Sequence, residues 1–149
     1  MAILRDDYAE IGFDQEIHTF HIDFLGHVNT GVYIQWMEIG RTKLLEAAGL
    51  VTHEILKQSF APLLIQTTIT YKVPLYLGDR VYVEVWLSEL RNTTGILHFR
   101  FYNSEQTLAA ESDQRGLFVD TKNMLPRRLL PEERTRFLPY LEEQQETRS

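Results

Sequence analysis

The sequence predicts a single α+β domain in which one long helix lies across an antiparallel sheet. Only one long segment, residues 30–48, has helical spacing of apolar residues, whereas most of residues 63–119 alternate apolar and polar positions as strands do. Because strands and helices do not alternate along the chain, these patterns argue against a parallel doubly wound sheet. The length of 149 residues matches one domain, so we expect a single domain over residues 1–149.

A predicted strand over residues 15–23 precedes the helix, and residues 1–14 are expected to be partly extended. On this strand His21 and Asp23 share one face, while His18 lies on the other. Residues 24–26, which end in Gly26, then break the strand. The prediction therefore places Asp23 at a strand end, shortly before the helix begins.

The predicted helix has a recognisable start and end. Asn29 is a good N-cap residue, and Gly49 is a good residue for the position after the last turn. Gly40 lies on the apolar stripe, although a helical glycine costs about 1 kcal/mol relative to alanine. We therefore expect another element to approach the helix closely at Gly40. The apolar stripe comprises Val32, Tyr33, Trp36, Met37, Gly40, Leu44, Ala47 and Ala48.

Four strands are predicted in sequence after the irregular residues 51–61, and together they form an antiparallel meander. Pro74 ends the first of them, because proline cannot donate to a strand ladder, and residues 91–95 form a hairpin loop. A short helix over residues 131–143 begins at Pro131 and is disturbed at Pro139, and the last six residues are expected to fray. The strands cover residues 63–73, 81–87, 96–102 and 107–119.

Composition and charge exclude several classes of protein. The chain has no cysteine, which rules out disulfides, thiolate metal sites and a cysteine nucleophile. Its formal net charge of −6 does not suit nucleic-acid binding. No stretch approaches the ~18 apolar residues of a membrane span, and the first residues lack the pattern of a signal peptide. We therefore expect a cytoplasmic protein without a membrane span.

Reactive side chains concentrate between residues 18 and 29, where three of the five histidines lie. The sequences of a nucleophile-elbow serine, a dinucleotide loop, a phosphate loop and a H-E-x-x-H zinc site are all absent. Asp23, by contrast, is predicted near the N-terminus of the long helix, whose free N–H groups can hold a developing oxyanion. A carboxylate beside an oxyanion hole is sufficient for acyl transfer, with Asp23 as nucleophile or as base for water.

Each of these residues also has a purely structural interpretation. Asp23 could bond its own backbone in a turn, Asn29 could be only an N-cap, and His27 could only pack in the turn. A metal site formed by His21, Asp23 and His27 is a further alternative, although no other ligand is placed to complete it. Glu38, on the helix, is more often a solvated or salt-bridged residue than an acid catalyst.

Two motifs in the sequence together cover roughly residues 15–120. The first is an aspartate, a Gly-His-Val-Asn turn and a helix with aromatic residues, glutamate and arginine. Its residues are Asp23, Gly26, His27, Val28, Asn29, Tyr33, Trp36, Glu38 and Arg41. The second, over residues 69–83, is an alternating strand, a proline, a Gly-Asp turn and a valine-rich strand. Both motifs resemble those of hotdog-fold thioesterases of the 4-hydroxybenzoyl-CoA thioesterase type.

The resemblance implies a hotdog fold, with a curved antiparallel sheet of about five strands wrapped around one long central helix. It implies hydrolysis of acyl-CoA or acyl-carrier-protein thioesters without a metal or cofactor. The family's catalytic aspartate falls on Asp23 and its carbonyl-polarising backbone N–H about at Thr30, while Asn29 and His27 shape the turn. Many members have Asp where this chain has His21, and a second Asn where it has Thr30.

Several questions stay open after the resemblance is taken into account. The basic residues that hold the CoA phosphates are not assigned by it, and Lys72, Arg80 and Arg91 are candidates by position only. Two alternative functions are a non-catalytic acyl-binding protein and a hydroxyacyl-thioester dehydratase that uses His21 or His27. The open edges of the predicted sheet and the resemblance both lead us to expect a homodimer or homotetramer with the active site between subunits.

Overall fold

A computed structural model describes residues 2–5, 8–55 and 57–142. Seven strands and three α-helices occur in these ranges, with short 3₁₀ turns at Thr19–His21 and Leu138–Tyr140. The elements in chain order are β1 (Ala2–Arg5), β2 (Tyr8–Glu16), α1 (Thr30–Ala47), α2 (Thr52–Ile55), β3 (Phe60–Tyr71), β4 (Arg80–Leu90), β5 (Thr94–Tyr102), β6 (Leu108–Asp120), β7 (Leu125–Pro126) and α3 (Pro131–Phe137).

The strands form one antiparallel sheet in the order β1-β2-β4-β5-β6-β3, and the short β7 pairs with β6. The predicted meander is confirmed for β4, β5 and β6. It is wrong for β3, which pairs with β6 at the sheet edge and leaves the other side of β4 to β2. The reason is that alternation within a strand determines which face it buries, but not which strand lies beside it.

The first predicted strand is displaced in the structure. The strand here is β2, which ends at Glu16, and residues 19–21 form a 3₁₀ turn rather than a continuation. The backbone N–H of His18 donates to Nδ1 of His21 at 3.0 Å, and such a local bond competes with strand pairing. The expectation that His21 and Asp23 share a strand face is therefore wrong.

The long helix α1 agrees closely with its prediction, covering Thr30–Ala47. Gly49 has φ +84°, and its N–H donates to the carbonyl of Glu46 at 2.9 Å, which closes the last turn. Asn29 occupies the N-cap position with extended backbone, but its side chain makes no capping hydrogen bond. A Cβ added at Gly40 would lie 3.1 Å from the ring of Phe99 and 3.4 Å from that of Phe13, so the predicted close approach is confirmed.

The core lies between α1 and the inner face of the sheet. The helix packs against β2 and β4, where Val81, Val83 and Val85 are fully buried. Helix residues buried on the other side of this interface are Val32, Tyr33, Trp36, Met37, Gly40 and Leu44. This arrangement confirms the expected α+β architecture of one long helix against an antiparallel sheet, with two more strands than predicted.

The C-terminal region is partly as expected. The predicted helix over residues 131–143 is α3 followed by the 3₁₀ turn Leu138–Tyr140, and Pro139 lies where the α-helix has ended. Phe137 is buried in the core and its ring contacts that of Phe118 on β6, so this segment packs against the sheet. The expectation of fraying concerns residues that lie outside the described part of the chain. Among the described residues, no helix is both long and apolar enough to cross a membrane.

Candidate active site

Asp23 organises the turn that connects the first part of the chain to α1. Its Oδ1 accepts the backbone N–H groups of Leu25 at 2.9 Å and of His27 at 3.1 Å. Gly26 has φ +82°, a left-handed conformation that glycine adopts without strain. The interpretation of Asp23 as a turn residue is therefore correct. In the described part of the chain Oδ2 of Asp23 has no hydrogen-bond partner, so one oxygen holds the turn and the other is available.

The first turn of α1 presents unused backbone donors beside this carboxylate. The N–H of Val32 already bonds back to the carbonyl of Asn29 at 3.0 Å. The N–H groups of Thr30 and Gly31 have no acceptor in the residues that the structure describes, because no side chain caps the helix. Such free donors at a helix start favour negative charge, as in an oxyanion hole.

One open cavity of 460 Å³ joins the carboxylate to the helix start. It brings together all four residues that the sequence predicts for the site, which are Asp23, His27, Asn29 and Thr30. It also contains residues from the end of β3 and from the loop after it. The complete lining is Asp23, His27, Val28, Asn29, Thr30, Tyr33, Tyr71, Lys72, Val73 and Pro74.

Two tyrosines of the cavity were not assigned from the sequence. The hydroxyl of Tyr71 donates to the carbonyl of Thr30 at 3.1 Å, and the rings of Tyr33 and Tyr71 meet edge to face at 5.1 Å. Burial, with a contribution from Tyr71, raises the pKa of Tyr33 to about 12. Both tyrosines lie in the matching motifs, but the sequence contains no signal that Tyr71 contacts Thr30.

The histidines of this region have different surroundings. His21 is buried, its ring lies edge to face against Trp36, and burial followed by the neighbouring His18 lowers the pKa of His21. His27 lines the cavity and packs its ring against Tyr76 at 4.8 Å, so the expected packing role is present. Among the described residues, no group of three or more acidic or histidine side chains is placed to hold a metal ion.

Of the three candidate phosphate-binding residues, the structure places one in the cavity. Lys72 lines it, with Nζ 3.9 Å from a carboxylate oxygen of Glu111. Arg80 lines a different cavity at the start of β4, and Arg91 is paired with Glu89 at 2.9 Å. Glu38, in turn, forms an ion pair with Arg41 on α1, as its structural interpretation predicted.

The sequence and the fold are similar to those of known proteins. YneP of Bacillus subtilis, a candidate acyl-CoA thioesterase, is 25% identical over 111 residues, covering 74% of this chain and 80% of its own. The acyl-CoA thioester hydrolase YbgC of Escherichia coli is 26% identical over 104 residues, which cover 70% of this chain and 78% of its own. The DHNA-CoA thioesterase of Staphylococcus aureus has a similar fold, with a TM-score of 0.80 and 17% identity. The match covers 87% of this chain and 89% of the thioesterase.

Residues 17–144 match the family model of the thioesterase-like superfamily. The chain therefore belongs to the thioesterase-like superfamily. The predicted hotdog fold is confirmed by the structural likeness, and the predicted class of thioester hydrolase is confirmed at the level of the family.

Proposed function

We propose that this protein hydrolyses acyl-CoA thioesters at the cavity between Asp23 and the start of α1. The observation that carries the proposal is the shared cavity itself, in which a carboxylate with one free oxygen lies with two free backbone N–H groups. Acyl transfer requires a group that attacks or activates water and donors for the oxyanion, and both are present here. Relatives named as acyl-CoA thioesterases support the substrate class.

In this mechanism the thioester oxygen accepts hydrogen bonds from the N–H groups of Thr30 and Gly31. Oδ2 of Asp23 either takes a proton from water, which then attacks the carbonyl carbon, or attacks that carbon directly to form an anhydride that water opens. In both routes the C–S bond breaks and the leaving thiolate takes up a proton, giving the free acid and the thiol. His27 and Asn29 shape the turn that holds Asp23.

Lys72 binds a phosphate group of the CoA moiety in this proposal. Lys72 is the lysine in the cavity lining, which contains no arginine, and its side chain is 44% exposed. Lys72→Gln is therefore expected to raise KM for acyl-CoA several-fold with kcat nearly unchanged, because uniform binding is lost. Arg91→Gln is the matched control, since Arg91 lies outside the cavity, and an equal KM effect there would contradict the role of Lys72.

The decisive experiment replaces the carboxylate without disturbing its turn. Asp23→Asn keeps an oxygen that accepts the N–H groups of Leu25 and His27, yet should reduce kcat by at least about 10²-fold. Asp79→Asn is the matched control, because Oδ2 of Asp79 accepts the N–H of Tyr76 at 3.0 Å in another turn. The kcat of both variants is measured from the release of thiol from a panel of acyl-CoA and acyl-carrier-protein thioesters. Full activity of Asp23→Asn would refute the mechanism.

The alternative functions give different results in the same panel. A dehydratase would convert 3-hydroxyacyl-CoA to the enoyl product without releasing thiol, and His27 is its remaining candidate residue, since His21 does not line the cavity. A non-catalytic protein would bind acyl-CoA without turnover. The predicted cytoplasmic location stays a prediction.

We also propose that the protein is a homodimer or homotetramer that pairs through β3. This strand has a neighbour within the described sheet on one side only, and it exposes Leu63, Leu64 and Ile65. Such an edge invites pairing with another strand. The active-site cavity is bordered by Tyr71 at the end of β3, and Phe24, which follows Asp23 in the chain, is 96% exposed, so a partner would complete the site.

Ile65→Lys tests this assembly, because a charge at an edge blocks strand pairing. Leu138→Lys is the control, since Leu138 is similarly exposed but lies in a turn that contacts β2, away from β3. Sedimentation equilibrium should show dissociation and loss of activity for Ile65→Lys alone. A fully active wild-type monomer that does not change on dilution would refute the proposal.

A further inference from the structure

The hydroxyl of Tyr33 has no hydrogen-bond partner in the part of the chain that the structure describes, although its side chain is buried. Tyr33 is 2% exposed and lines the cavity that contains Asp23 and Thr30. The hydroxyl of Tyr71, in the same cavity, is already bonded to the carbonyl of Thr30. Because a buried tyrosine usually has a partner for its hydroxyl, we expect that of Tyr33 to bond a molecule that enters the cavity.

Three aromatic side chains hold the ring of Tyr33 in place. Its centroid lies 5.1 Å from that of Tyr71, 5.3 Å from that of Phe101 and 5.7 Å from that of Trp36, and the first two contacts are edge to face. A hydroxyl on a ring that is held in this way needs no reorganisation when charge develops beside it. Phenylalanine would make the same ring contacts, so packing alone does not account for the hydroxyl of Tyr33.

The position of Tyr33 on α1 directs its hydroxyl towards the start of the helix. Tyr33 lies three residues after Thr30, so the two residues are neighbours on the helix surface. The rise between them is about 4.5 Å, and aromatic side chains on a helix lean back towards its N-terminus. The phenol therefore extends towards the free N–H groups of Thr30 and Gly31. An oxygen atom that accepts those N–H groups is then within reach of the hydroxyl of Tyr33.

The charges in the cavity favour a neutral donor at this position. Asp23 acts as a carboxylate in the proposed mechanism, and a cationic side chain beside it would pair with it. Lys72, the lysine in the cavity lining, has its Nζ 3.9 Å from a carboxylate oxygen of Glu111 instead. Burial, followed by the neighbouring Tyr71, raises the pKa of Tyr33 to about 12, so its hydroxyl is an uncharged donor at neutral pH. A phenol can therefore stabilise a negative oxygen without neutralising Asp23.

We propose that the hydroxyl of Tyr33 is a third donor to the thioester oxygen, beside the N–H groups of Thr30 and Gly31. This inference rests on the proposed function and adds a side chain to its oxyanion site. When attack makes the carbonyl carbon tetrahedral, the electron pair of the C=O π bond moves to the oxygen, which then accepts the three hydrogen bonds. When the C=O double bond forms again, the C–S bond breaks. Tyr33 keeps its proton throughout.

Tyr33→Phe removes the hydroxyl and retains the ring. We expect kcat for acyl-CoA hydrolysis to fall at least about tenfold and KM to stay within about twofold, because the lost bond is made fully only in the transition state. Tyr140→Phe is the matched control, since the hydroxyl of Tyr140 bonds the carbonyl of Ala47 at the other end of α1 at 3.4 Å. An unchanged kcat of Tyr33→Phe, or an equal loss in both variants, would overturn the inference.

The pH profile of kcat/KM distinguishes a donor to the thioester oxygen from a donor to Asp23. A carboxylate that loses a hydrogen bond is protonated at a higher pH. If Tyr33 acted by bonding Asp23, Tyr33→Phe would move the acid limb of the profile to higher pH. If Tyr33 bonds the thioester oxygen, the variant loses activity by the same factor on both sides of that limb, which stays where it is. A shifted acid limb would overturn the inference.

Binding of two CoA derivatives, measured by calorimetry, separates this inference from the proposed function. The first carries a trifluoromethyl ketone, whose carbonyl carbon adds a nucleophile to form a tetrahedral adduct, and the second is S-propyl-CoA, which has no carbonyl oxygen at that position. Tyr33→Phe should bind the ketone at least about tenfold more weakly than the wild type does, and S-propyl-CoA equally well.

The outcomes of this binding experiment do not depend on turnover. If the wild type hydrolyses no thioester, the proposed function fails, and a loss of affinity confined to the ketone still supports the role of Tyr33 as a donor. Equal binding of the ketone by the wild type and Tyr33→Phe would overturn the inference, as would an equal loss of affinity for both derivatives.

Discussion

The hydroxyl of Tyr71 donates to the carbonyl oxygen of Thr30 at 3.1 Å and so joins the end of β3 to the first turn of α1. The carbonyl of Thr30 and the N–H of Gly31 belong to one planar peptide unit. The bond from Tyr71 therefore also fixes the direction in which Gly31 presents its N–H to the cavity. Burial raises the pKa of Tyr71, so the phenol stays protonated and can donate this bond.

Tyr71→Phe is expected to reduce kcat by up to about tenfold, because one neutral hydrogen bond is worth about 1 kcal/mol. Tyr71 is a positioning residue in this account, so KM should change less than kcat. Tyr140→Phe is the control, since the hydroxyl of Tyr140 bonds the carbonyl of Ala47 at the other end of α1 at 3.4 Å. Equal effects of the two variants on kcat would contradict a positioning role for Tyr71.

Thr30→Pro removes one proposed oxyanion donor while the helix is retained. Thr30 is the first residue of α1, where proline is tolerated, and Asn29 has φ −63° and ψ 141°, which suits a residue before proline. We expect kcat to fall about 10²- to 10³-fold with an unchanged circular dichroism spectrum. Thr30→Ala retains the N–H and should remain active. A normal kcat of Thr30→Pro would show that the N–H of Thr30 does not bind the oxyanion.

Gly40→Leu is expected to destabilise the fold by at least about 1–3 kcal/mol, because the core around Gly40 has no space for a side chain. Gly40→Ala should cost less, since its better helix propensity offsets about 1 kcal/mol of the crowding against Phe99. Gly31→Ala on the same helix is the control, because a Cβ there meets nothing within 4 Å. Urea unfolding measures the free energy of unfolding of all three variants. A Gly40→Leu variant as stable as the wild type would contradict the close approach of Phe99 and Phe13 to Gly40.

The buried His21 should make stability depend on pH. Burial lowers the pKa of His21 in the folded protein, whereas in the unfolded chain this pKa is about 6.5. The unfolded state then binds more protons below that pH, so the free energy of unfolding falls as the pH decreases from about 6.5. His21→Asn should weaken this dependence, and the exposed His53→Asn should not. Urea unfolding at several pH values measures how the free energy of unfolding changes with pH. The same pH dependence in the wild type and both variants would contradict the role of His21.

The sequence by itself determined the features that depend on neighbouring residues. The limits of α1, the left-handed Gly49 and the crowded Gly40 follow from the spacing of apolar residues and from local turn chemistry, and the structure contains all three. Local interactions also explain why the strand predicted over residues 15–23 is wrong. There a bond between the backbone of His18 and the ring of His21 closes a turn that alternation alone did not reveal.

Only the tertiary structure decided which distant segments meet. It placed β3 beside β6 rather than β4 and brought Tyr71 to Thr30 across 41 residues of chain. It also showed that one oxygen of Asp23 holds a turn while the other stays available for chemistry. Such contacts depend on how the sheet and helix pack as a whole, because a strand's own pattern specifies its buried face but not its neighbours.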